Sequence, residues 1–174
     1  MQKRVVLGSS VLQFQPLRAA SILHRMGSVR YVSATRNLSP TTVRVRTAID
    51  LLEDIEEPVG MPADEVTKYF FKRKGFFSPQ ERKESSKLAF DVIHNWNAVG
   101  WWLARIRPDV PELTKRYGLS PRLRVLAYLI LHEKWDADKI KQHLEKPTEM
   151  EMQIQENLQG KSLADSTMPP WLQL

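Results

Sequence analysis

A chain of 174 residues, 42% hydrophobic and 26% charged, is long enough for one ordinary domain with a real core and too short for two full ones. Cysteine is absent, which excludes disulfides, thiolate metal sites and a cysteine nucleophile, and no apolar run approaches the ~20 residues needed to span a bilayer. The formal net charge of +6 points toward nucleic acid, but it is unevenly distributed: residues 1–49 hold eight Lys/Arg and no acid, whereas 18 basic residues face 20 acidic ones from Asp50 onward.

Residues 1–36 are rich in Arg and Ser, with Arg18, Arg25, Arg30 and Arg36 scattered among spaced apolar residues. A secretory signal would instead show a compact apolar stretch after a short basic region. The composition predicts a cleavable or flexible mitochondrial presequence that forms a cationic amphipathic helix and directs the chain to the matrix. A basic arm that binds RNA has the same composition and remains the alternative.

No strand signals follow: there is no sustained alternation and no Asn-Gly or Asp-Gly turn. A first helix is predicted from Thr41 to Glu57, with Val45, Ala48, Ile49, Leu52 and Ile55 at helical spacing and Pro58 and Gly60 as terminators. A second helix, opening at Pro62 with Asp64 and Glu65 in its first turn, is expected to bury Val66, Tyr69 and Phe70. It ends in Lys72-Arg73-Lys74 before Gly75.

Ser78-Pro79 with Glu81 reads as a capping box starting a third helix. Its polar opening, Gln80 to Lys87, is expected to project past the core, and a stripe of Leu88, Val92, Trp96, Val99 and Leu103 follows, with a kink or turn near Asn97–Gly100. Val110–Tyr117 suggests a short helix closed by Gly118. The helix after Ser120-Pro121 is apolar almost all round, which places it at the centre of a bundle. Asp136 caps a short helix through Leu144, Glu149–Leu158 reads as a short surface-lying helix, and residues 161–174 as an extended C-terminal tail. The expectation is an all-α chain with a helical domain over residues 40–160.

An ordered series of segments carries a resemblance. Pro62-Ala63-Asp64-Glu65-Val66, Tyr69-Phe70, Lys72-Arg73-Lys74, Ser78 to Lys83, Phe90 to Ile93, Trp101 to Arg105, Pro121 to Leu126 and Met168 to Leu172 occur in register over residues 42–172. Together they resemble the N-terminal domain of the Sun/Fmu family of RNA cytosine-5 methyltransferases. That resemblance implies a NusB-like helical bundle that binds RNA, ahead of a larger Rossmann-like domain with the S-adenosylmethionine site and catalytic cysteines. This sequence stops where the linker to such a domain is expected, with no Gly-rich cofactor loop. Cytosine-5 methylation requires a thiolate to add to the pyrimidine ring, so the 174 residues are expected to be non-catalytic and to hold no cofactor.

Three functional readings follow from sequence. The first is a mitochondrial RNA-binding or ribonucleoprotein-associated domain, a mitoribosome component or an rRNA maturation or assembly factor. The second is a protein-interaction subunit docking a separate methyltransferase or another mitochondrial complex, and the third is an N-terminal fragment of a methyltransferase.

Between Val66 and Lys134, 14 Lys/Arg stand against 6 acids, flanked by acidic stretches. The candidate RNA-binding residues are Lys72, Arg73, Lys74, Arg82, Lys83, Lys87, Arg105, Arg107, Arg122 and Arg124, which cluster at predicted helix ends. Ordinary dipole complementation and solubilising charge account for the same pattern. Trp96, Trp101 and Trp102 offer stacking surfaces for bases, but at least two of them read as packing residues; Phe76 and Phe77 are better candidates for exposed contact, with plugging the core as their alternative. His24, His94, His132 and His143 lack metal-ligand spacing, and Glu133, Asp136 and Asp138 read as a cap and solvated carboxylates rather than a cation site.

Overall fold

The computed structural model describes residues 38–56, 60–106, 120–163 and 169. Seven helices and no strand lie among them: α1 (Pro40–Glu56), α2 (Ala63–Arg73), α3 (Pro79–His94), α4 (Trp96–Ile106), α5 (Pro121–Leu131), α6 (Ala137–His143) and α7 (Glu149–Leu158). The expected all-helical architecture is observed. The presequence, the helix expected at Val110–Tyr117 and almost all of the C-terminal tail lie outside the described residues.

Local chemistry sets most of the helix starts. The hydroxyl of Ser39 accepts from Thr42 N–H at 3.2 Å and opens α1. Ser78 and Glu81 form the expected capping box on α3: the hydroxyl accepts from Glu81 N–H at 3.2 Å, and the carboxylate accepts from Ser78 N–H at 2.7 Å. Ser120 and Asp136 cap α5 and α6. Thr148 and Glu151 form a second capping box on α7, an S/T-x-x-E signature not singled out from sequence.

α5 is the central helix, with every residue from Leu123 to Leu131 buried. It packs against α1, α3, α4 and α7, while α1 makes its most extensive contact with α3. Leu51, Leu52, Leu103, Leu126 and Leu129 are fully enclosed where these helices meet. Truncating any one to Ala would cost about 2–5 kcal/mol, a large share of a domain's stability.

Four expectations change on packing. Tyr69 is 57% exposed, and Phe71 turns inward beside Phe70 instead. The apolar stripe of α2 is thus rotated toward residues 67 and 71, and the two phenylalanine rings meet edge to face at 5.1 Å. The polar start of α3 does not project past the core: Ser85 is fully buried against it, because small polar residues permit close helix approach. The break between α3 and α4 falls at Asn95, whose N–H and side-chain amide both bond to Asp91 O, two residues before the expected kink. Finally, α7 does more than lie on the surface: Glu149, Gln153, Glu156 and Asn157 are exposed, but Ile154, Gln155 and Leu158 are buried and the helix packs on α5.

Candidate nucleic-acid interface

The corner where α2 runs into α3 is built by aromatic packing and one arginine. Phe77 is buried with its ring edge-on to Phe71 at 5.8 Å, while Phe76, on the loop beside it, is 37% exposed. Arg82 donates from Nε to Phe77 O at 2.9 Å and from an Nη to Gly75 O at 3.3 Å. Its guanidinium therefore fastens the loop to the first turn of α3, satisfying two carbonyls that no helix uses.

This corner holds six of the ten sequence-predicted cations, in three states. Lys72 and Lys83 are exposed and pair with no acid among the described residues. Arg73 and Lys74 are matched to the acidic side of α1, Arg73 to Asp54 at 2.6 Å and Lys74 to Asp50 at 3.1 Å, with Lys74 Nζ also 4.2 Å from the centre of the Phe70 ring. Lys87 reaches Asp91 one turn along α3 at 2.6 Å, and Arg82 is committed to the loop. A solvent-exposed ion pair contributes only about 0–1 kcal/mol, so Arg73 and Lys87 can exchange a carboxylate for a phosphate at little cost. Lys74, more enclosed, is held harder.

Three of the remaining four sit on other helices, Arg105 on α4 and Arg122 and Arg124 on α5. Arg105 is exposed at the C-terminal end of α4, its guanidinium 5.2 Å from the Trp101 ring centre. Arg107 lies outside the described residues. Arg122 is bound to Glu151 at 2.5 Å and to Glu145 O at 2.8 Å. Burial alone would raise the Glu151 pKa, but hydrogen bonds from Arg122 and Thr148 outweigh it and hold the carboxyl below the ordinary glutamate range.

Arg124 is 2% exposed and offers no surface to a phosphate. Its guanidinium lies 3.7 Å from the Trp96 ring centre and donates to Trp96 O at 2.9 Å. Burial pulls its pKa down to about 10, partly offset by the Glu56 carboxylate, which leaves it charged at neutral pH. Sequence spacing could not separate Arg124 from Lys83, because burial of a cation depends on which neighbour supplies a ring and a carbonyl.

No family model matches the chain, and neither does any curated protein or solved structure. The reading of the corner therefore rests on its own chemistry and on the sequence resemblance.

Two other polar clusters occur among the described residues. A cleft of about 450 Å³ between α1 and α6 is lined by Ser39, Thr42, Arg46, Lys141, His143 and Glu145. His143 Nδ1 lies 3.2 Å from both the Ser39 and Thr42 hydroxyls, but no described carboxylate hydrogen-bonds its ring to complete a Ser-His-acid set. Glu133 is paired with Arg44 at 2.6 Å and accepts from Trp135 Nε1 at 3.1 Å, and Asp136 caps α6. No group of three metal-ligating side chains occurs among the described residues.

Proposed function

We propose that this chain is a non-catalytic RNA-binding domain of the mitochondrial matrix, associated with the mitoribosome or with rRNA maturation. The observation that carries the reading is the α2–α3 corner, where Lys72 and Lys83, which pair with no acid among the described residues, stand beside exposed cations whose acidic partners are partly exposed. Two sequence features support it: the ordered resemblance to the RNA-binding domain of the Sun/Fmu family, and the acid-free basic leader. The lack of any cysteine removes the thiolate that the resembling enzymes use, and binding is the role that the resemblance implies for their N-terminal domain.

Phosphate contacts give an affinity that falls with salt, each contributing about 0.7–0.9 to the logarithmic slope. Titrating labelled rRNA fragments with the full chain across a salt series is expected to show this dependence. The double variant Lys72→Glu/Lys83→Glu should lower the slope by roughly 2. Affinity that ignores ionic strength and survives the double reversal would overturn the reading. So would association with one protein partner that persists after RNase treatment and is abolished by the same reversal. Import of a reporter carrying residues 1–36 into mitochondria tests the location separately.

A further inference from the structure

All the large hydrophobic side chains exposed among the described residues fall in one short segment: Met61 at 40%, Tyr69 at 57% and Phe76 at 37%. That segment is α2 with its two flanks; among the described helices α2 packs chiefly on α1, and its buried residues are Phe70 and Phe71. On its other side Glu65, Lys68, Tyr69 and Lys72 are exposed. Tyr69 and Lys72 both lie on that face, about 60° apart on the helix. Phe76 stands on the Arg82-fastened loop that leaves α2, with Lys83 on the helix that follows.

We propose that this exposed side of α2 and the loop after it form a stacking platform for single-stranded RNA. Tyr69 and Phe76 supply the ring faces, and Lys72 and Lys83 supply the phosphate contacts. The proposal rests on the RNA-binding reading and adds the form of RNA and the residues that read it.

The chemistry around Tyr69 selects this occupant. A helix face that docks in or against a protein groove repeats apolar residues at i, i+3, i+4 and i+7. On α2 the exposed positions around Tyr69 are charged, with Glu65 four residues before it, Lys72 three after and Arg73 four after, while Val66, three before, is half-buried and Phe76, seven after, lies beyond the helix end. Separated rings interleaved with charged residues offer a protein no continuous apolar stripe, but each presents a π-face to a base while the lysines meet the backbone. A duplex keeps its bases stacked inside and cannot use such rings, so the platform favours unpaired strands.

The test uses the full chain, with a labelled uridine oligomer of about ten nucleotides and an RNA duplex of the same length as probes. The single strand should bind more tightly than the duplex. Tyr69→Ala should weaken single-strand binding by roughly 5- to 100-fold, while Tyr69→Phe retains it. Duplex affinity and melting temperature should stay at wild-type values, because the ring is exposed. Phe76→Ala should act likewise, with Phe76→Trp as the control that preserves a ring next to Phe77. If both alanine variants bind the single strand as wild type does, while Lys72→Glu/Lys83→Glu loses it, the platform fails and the RNA reading stands. If wild-type protein binds neither probe, both fail. If Tyr69→Ala leaves RNA binding intact but releases an RNase-resistant protein partner, the face docks protein and the proposal is overturned.

Discussion

The two ends of the cationic series meet opposite fates. At the α2–α3 corner, Lys72 and Lys83 extend into solvent, and Arg73 and Lys87, themselves exposed, hold partly exposed carboxylates. On α5, Arg122 and Arg124 stand two residues apart on one helix, so their side chains leave in roughly opposite directions, about 200° around the axis. One reaches the α7 carboxylate and the other lies under α4. The same residue type is a potential ligand contact in the first region and a structural bolt in the second. Separating them requires knowing which faces of α5 are covered, and a charge count does not carry that information.

The contrast predicts that the α5 arginines govern stability and leave RNA affinity alone in whatever remains folded. Arg122→Ala should have the largest effect. It strips the guanidinium from Glu151, which is 2% exposed, and removes the donor to Glu145 O. Breaking one side of a buried pair costs about 3–5 kcal/mol, read as a fall in the denaturant midpoint. A pH series sharpens this. The Glu151 carboxyl is held below its ordinary range in the fold, so its contribution is present above the unfolded glutamate pKa of about 4.3 and is lost as pH falls through the lower folded value. Glu151→Gln should therefore flatten the acid limb of the stability curve, and an unchanged limb would place the acid sensitivity elsewhere.

Arg124 should be the milder case, and the outcome depends on the replacement. Trp96 O belongs to the α4 ladder, where Gly100 N–H is its helical donor, so removing the guanidinium leaves no orphaned carbonyl. Arg124 Nε itself has no partner, a desolvation cost that the wild type already bears. Arg124→Ala opens a cavity beneath Trp96 and should cost about 2–4 kcal/mol. Arg124→Met fills that space without a buried charge and should fall within about 1 kcal/mol of wild type.

Gly100 couples to this bolt. A Cβ there would lie 3.1 Å from Arg124 Nη1, an end pinned by both the ring and the carbonyl of Trp96. Alanine in a helix gains about 1 kcal/mol over glycine when there is room. In the wild type the crowding should cancel that gain, and in an Arg124→Met background the gain should reappear. A thermodynamic cycle of the four proteins measures the difference, and a gain of equal size in both backgrounds would mean that the guanidinium yields freely.

Much of the fold was legible because its signals are local. Capping residues such as Ser78 and Asp136 bond within their own first turn, and the all-round apolar pattern of Leu123–Leu131 has only one place in a bundle. What misled was position on a helix face. Tyr69 and Phe71 are two residues apart and both aromatic, so either fits an inward stripe with Phe70, and only the direction from which α1 approaches decides between them. The same ambiguity hid the candidate platform: an exposed tyrosine looks like a core residue until its neighbours are packed. Ser85 and Gln155 show the converse, since a polar residue reads as exposed surface until the packing of α3 on α1 and of α7 on α5 buries it.

The smallest effect on stability, and the one that bears most directly on the corner, concerns the acids rather than the cations. Asp54 holds Arg73 at 2.6 Å with both side chains partly exposed, so Asp54→Asn should change stability by less than about 1 kcal/mol. If the corner meets phosphate, the acid is an intramolecular competitor. Removing its charge should then raise RNA affinity at low salt and steepen the salt slope by about 1, as Arg73 becomes a full phosphate contact. The matching change on α5, Glu151→Gln, releases a guanidinium that still lies between helices, and it should leave the slope unaltered. A steeper slope in both variants would mean that net charge alone governs binding, and the distinction between ligand contact and structural bolt would collapse.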